Sequence, residues 1–151
     1  MYSAVLLLHS WIRWIALVAA FGATFAAVRN RVEGEQSLAD RWGLFLMMAL
    51  DTQMLLGLLL YFALSPFTTE ALRDFSAAMH NPPVRFWAVE HLSSMLVAVV
   101  LAHIGRVLAR KAATPAAKRT RLLVCDGVAT VLMIAATPWP GMMNGRPLFR
   151  L

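Results

Sequence analysis

Four long apolar runs alternate with polar breaks along the chain. The first covers residues 4–28 and gives way to the polar loop Arg29-Asn30-Arg31-Val32-Glu33-Gly34-Glu35. The second covers 42–64 and stops at Ser65-Pro66, where proline removes a backbone donor. A polar stretch follows, holding Glu70, Arg73, Asp74, His80 and the breaker Asn81-Pro82-Pro83, with a short surface helix expected over 69–79. The third run covers 84–108, and a basic loop then reaches Arg121. The fourth covers 122–138 and closes on Pro138-Trp139-Pro140, ahead of an irregular tail over 141–151. A helix needs about 20 mostly apolar residues to cross a hydrocarbon core of roughly 30 Å. The first three runs meet that length, and the short fourth can recruit Trp139 as an interfacial anchor. The pattern predicts an all-α, integral membrane four-helix bundle, with 1–151 as a single domain.

Composition gives the runs their solvent. Hydrophobic residues make up 60% of the chain and mean hydropathy is +0.64, above the roughly 45–50% apolar content of soluble domains. The polar residues are too few to cover a soluble globule, so the lipid bilayer is the expected surrounding. A net charge of +6 could point to nucleic acid. The basic residues instead sit at the ends of apolar runs, and no basic stripe alternates with aromatics. No nucleic-acid partner is expected. The lone Cys125 excludes an internal disulfide and any Cys-based metal motif. The opening run lacks a charged leader and is interrupted by His9 and Arg13, so it reads as a retained helix rather than a signal peptide.

Orientation follows from the distribution of Lys and Arg. The breaks after the first and third runs and their flanks carry Arg29, Arg31, Arg41, Arg106, Arg110, Lys111, Lys118, Arg119 and Arg121. The opposite side carries Arg73, Arg85, Arg146 and Arg150. The first side is expected to be cytoplasmic, which places both termini outside a multi-pass protein.

Ionisable side chains inside spans are costly, about 2.5–3.5 kcal/mol at the centre, so they face protein and pair. The first run holds His9 and Arg13, the second Asp51 and Gln53, the third Glu90, His91 and His103, and the fourth Asp126. With a rise of about 1.5 Å per residue, His9 and His91 lie at matching depths, roughly 8–10 Å below the outer surface, on helices that run the same way. Two imidazoles at one depth can ligate a haem iron from opposite faces. They can also hold a non-haem metal, or be histidines hydrogen-bonded to Glu90, Ser10 or Ser94. By the same depth argument, Arg13–Asp51 and His103–Asp126 read as structural ion pairs that fix helix order. His80 reads as a surface histidine. The nine methionines do not cluster with histidine and read as core filling rather than a copper site. Gln53, Gly57 and Tyr61 share one face, where a neighbouring helix or a flat ring could come close. No nucleophile–base pair, phosphate-cradling glycine loop or HExxH helix is present in the sequence.

Several short motifs run in order over nearly the whole chain. They are Leu8-His9-Ser10 with Arg13-Trp14, Gln53-Met54-Leu55-Leu56-Gly57 with Leu60-Tyr61-Phe62, Arg85-Phe86, Val89-Glu90-His91, Ile104-Gly105, Pro138-Trp139-Pro140 and Gly145-Arg146-Pro147. In these the chain resembles a group of small, largely uncharacterised bacterial four-helix membrane proteins sometimes labelled cytochrome b-like. The resemblance implies a place in the bacterial inner (cytoplasmic) membrane and singles out His9 and His91. It also implies a histidine two residues before Gln53, where this chain has Asp51. The leading expectation is a b-type cytochrome-like protein. His9 and His91 would hold one haem b, Arg13 or Arg85 would meet its propionates, and one electron would pass to or from a quinone or a respiratory redox complex. Two alternatives stand beside it: an accessory or assembly subunit of a larger membrane complex, and a metal or proton pathway through His9, Arg13, Asp51 and His91.

Overall fold

The computed structural model describes residues 1–34 and 36–149; Glu35, Arg150 and Leu151 lie outside them. The described chain is helical, with no strand. Its elements are α1 (Tyr2–Val28), α2 (Leu38–Leu59), α3 (Pro66–Arg73), α4 (Phe75–His80), α5 (Pro82–Arg85), α6 (His91–Arg110) and α7 (Pro115–Ala135). One π-helical turn, Leu60–Leu64, extends α2, and another, Phe86–Glu90, joins α5 to α6. Three helices, Tyr2–Val28, Leu38–Leu64 and Pro82–Arg110, are long and apolar enough to cross a membrane. With α7 they form a ring in which α1 packs on α2 and α7, and α6 on α7 and α2.

Local chemistry moves two helix starts upstream of the hydropathy pattern. Ser37 accepts from Asp40 N while Asp40 Oδ2 accepts from Ser37 N, a reciprocal capping box that begins α2 at Leu38 rather than at 42. Thr114 accepts from Ala117 N, and Pro115 takes the first helical position, where its missing N–H costs nothing. As a result α7 begins at Pro115, and Lys118, Arg119 and Arg121 lie on a helix rather than in the expected loop. The surface helix expected over 69–79 is two helices, α3 and α4, broken at Asp74, which caps α4 through Ala77 N.

The interior is built from small side chains. Ala16, Ala19, Ala20 and Ala23 of α1 meet Leu46, Ala98, Ala102 and Ala129 at the centre, all buried. A Cβ at Gly105 would collide with Cys125, so glycine is what allows α6 and α7 to approach there. The large apolar side chains point outward instead: Phe25 is 65% exposed, Leu55 71% and Val131 64%. A soluble bundle buries its bulk, whereas helices surrounded by lipid gain nothing by doing so and associate through close backbone approach.

The expected basic end is assembled as a set of helix caps. Arg119 Nε donates to Ala27 O at 3.0 Å and its Nη2 to Val28 O at 3.1 Å, satisfying carbonyls at the end of α1. Arg121 Nη1 does the same for Leu108 O of α6 at 2.6 Å. Arg106 Nη1 reaches Asp40 O at 2.9 Å, and Lys118 Nζ lies 2.5 Å from Asp40 Oδ2 in a pair whose side chains are each 14% exposed. Removing one partner leaves the other buried and uncompensated. Lys118→Met is therefore expected to cost about 3 kcal/mol. The double variant Lys118→Met/Asp40→Asn should recover most of that, measured as unfolding of the detergent-solubilised protein.

Candidate cofactor-binding cleft

At the end opposite the basic caps, α1, α2 and α6 diverge around a cleft lined by His9, Arg13, Gln53, Gly57, Tyr61, Trp87, His91 and Arg146, among others. His9 and Arg13 lie one turn apart on α1, so both project from the face that buries Ala16, Leu17 and Ala20 lower down. Gln53, Gly57 and Tyr61 line the cleft from α2 in the same spacing. A Cβ at Gly57 would stand 3.4 Å from His9 Cε1, so a side chain larger than alanine there would press on the imidazole. His91 sits where the π-helical turn Phe86–Glu90 passes into α6. Such turns re-aim side chains and recur at functional sites. The second π-helical turn borders the same cleft, and Tyr61 Oη ties the two together by donating to Ala88 O at 2.8 Å.

The imidazoles of His9 and His91 face each other with ring centroids 6.4 Å apart and planes inclined at 71°. His91 Nδ1 lies 2.8 Å from Ala136 O, a carbonyl left over at the end of α7. A carbonyl only accepts, so Nδ1 carries the hydrogen and Nε2 keeps the lone pair. Trp87 and Phe86 hold the ring from the sides, at 5.5 and 5.9 Å. Two buried polar atoms bordering the cleft, His9 Nδ1 and Gln53 Oε1, have no hydrogen-bond partner among the described residues. Each such atom left unpaired costs about 1–3 kcal/mol, so water or a bound group in the cleft would find partners there.

Two imidazoles on one cleft, with Arg13 and Arg146 beside them, are donors of the kind that can hold a haem. Among the described residues no group of three or more His, Cys, Asp or Glu gathers.

Of the other candidates, Arg13 lines the cleft and its Nη2 donates to Leu148 O at 2.9 Å. Arg85 does not line it. Its Nε lies 2.8 Å from Glu90 Oε1, and this ion pair also removes Glu90 as a partner for either histidine. The second arginine in the cleft, beside Arg13, is Arg146, stacked over Trp87 at 5.2 Å and Phe67 at 5.5 Å. It comes from the tail, which is irregular as expected but folds back. Phe149 packs on Trp11 and Trp14, and Trp14 Nε1 donates to Leu148 O at 3.0 Å.

The two expected ion pairs do not form. Asp51 faces His103, with Oδ1 to Nε2 at 3.4 Å, while Arg13 turns to the cleft and the tail. Asp126 is 3% exposed, has Arg106 as its charged neighbour, and has no hydrogen bond to Oδ2 among the described residues. Matching depths gave the right heights but not the directions in which the side chains leave their helices. No family model, curated protein or solved structure matches this chain.

Arg146 and Arg85 can be told apart by experiment. Two cation–π contacts at about 0.5–1 kcal/mol each hold Arg146. Arg146→Ala should therefore speed hydrogen exchange or proteolysis of residues 141–149 by roughly tenfold, and Arg85→Ala should leave that segment unchanged.

Proposed function

We propose that the chain crosses the cytoplasmic membrane four times, through α1, α2, α6 and α7, with both termini on the non-cytoplasmic side. The basic caps at the end bearing the α1–α2 and α6–α7 connections support that orientation. The fourth span is short in apolar residues, but α7 is packed along α1 and α6 and so shares their surroundings. In this frame the protein is a b-type cytochrome-like electron carrier that holds one haem b between His9 and His91. It exchanges single electrons with a quinone or a membrane redox complex.

One observation carries the reading: two imidazoles on parallel helices meet in one cleft with ring centroids 6.4 Å apart, so both could ligate one bound group. His91 would ligate through Nε2, since Nδ1 is committed to Ala136 O, and that hydrogen bond fixes the ring and raises its basicity. His9 Nδ1 is buried and has no hydrogen-bond partner among the described residues. Arg13 and Arg146 place positive charge where carboxylates of a bound group would emerge. A bound haem would supply reversible one-electron chemistry at its iron. The chain's part is to ligate, to exclude water and to orient.

The test is an absorbance spectrum and a haem stain of detergent-purified protein expressed with haem supplied. The wild type should show a Soret band. His9→Ala and His91→Ala should each lower it more than tenfold per mole of protein, and His80→Ala should not. A colourless wild type overturns the reading.

A further inference from the structure

Asp51 is the middle residue of the 27-residue helix Leu38–Leu64. Its carboxylate faces His103 of α6, and the two side chains are 47% and 42% exposed on the outer side of the α2–α6 seam. That seam is the loosest of the four in the ring. His103 Nδ1 lies 2.9 Å from Val99 O and so carries a hydrogen, and Nε2 is the nitrogen that faces Asp51. In water such exposure would be ordinary. Halfway along a span it is not, because hydrocarbon offers no hydrogen bonds and an uncompensated charge there is costly. The 3.4 Å approach also exceeds the roughly 2.7–2.9 Å of a charge-assisted hydrogen bond, so the two groups do not saturate each other.

We propose that this seam is the interface of a homodimer, in which the Asp51–His103 pair of one copy meets the same pair of a second copy. A carboxylate on one helix beside an imidazole on the next forms a dipole lying along the bundle surface. A two-fold axis along the membrane normal keeps its depth and reverses its direction, so each carboxylate meets an imidazole of the other copy. The pair is self-complementary, and a second copy supplies what it lacks. Met48 and Leu55 on α2, with Val100 and Val107 on α6, are 45–71% exposed around it and would form the apolar rim. The proposal rests on the membrane placement and is independent of the haem reading.

The test uses the full chain in a Cys125→Ala background, reconstituted in phosphatidylcholine liposomes at low protein-to-lipid ratio and treated with a short bismaleimide. Leu55→Cys, one turn from Asp51, should cross-link to dimers, and Val131→Cys on the outer face of α7 should not. Adding Asp51→Leu and His103→Leu, both compatible with hydrocarbon, should cut the Leu55→Cys dimer fraction at least fivefold. Single-molecule photobleaching in one step at every lipid dilution would overturn the proposal, as would cross-linking through position 131. A chain that proves soluble without detergent would overturn it together with the membrane placement, whereas a colourless dimer would sink only the cofactor reading.

Discussion

In the proposed membrane setting, the constraint on this bundle is that its helices associate without a hydrophobic drive between them. In water, large apolar side chains turn inward because water expels them. Here the interior is lined with alanine and glycine while Phe25, Leu55 and Val131 face out. What holds such helices together is close backbone contact plus a few polar fastenings. Those fastenings lie mainly at the ends. Guanidinium groups close the carbonyl ends of α1 and α6 on one side, and the folded-back tail closes the other.

The arrangement at the tail end explains how an imidazole pair can be kept apart yet face one space. Small residues draw the lower halves of the helices together. At the upper end the bulk of Trp87, Phe67 and the tail intervenes, and α2 and α6 each pass through a π-helical turn. The extra residue in such a turn shifts the register of everything beyond it. His91 owes its direction to that shift as much as to its place in the sequence.

The sequence showed plainly where helices lie and which residues sit at the same depth, because hydropathy and rise per residue are properties of a single chain. The His9–His91 meeting was legible on that basis, as was the shared face of Gln53, Gly57 and Tyr61. Azimuth was not. Whether Asp51 looks toward Arg13 or His103 depends on helix rotation, which only packing decides, and the alanine-lined faces that set it carry a weak signal. The early starts of α2 and α7 were written in Ser37-x-x-Asp40 and Thr114-Pro115, but hydropathy masked them. Arg146 could not be placed beforehand, since its position depends on a tail with no periodicity.

A wall of alanine is smooth. Long interlocking side chains act like gear teeth, while methyl groups allow one rod to slip along another at little cost. Register between α1 and α7 therefore falls to a few polar fastenings: Thr24 Oγ1 and Thr130 Oγ1 lie 3.0 Å apart, Thr130 Oγ1 donates to Ala20 O at 3.3 Å, and Arg119 holds Ala27 O and Val28 O. A bundle fastened this way keeps its register at those points rather than along its whole length.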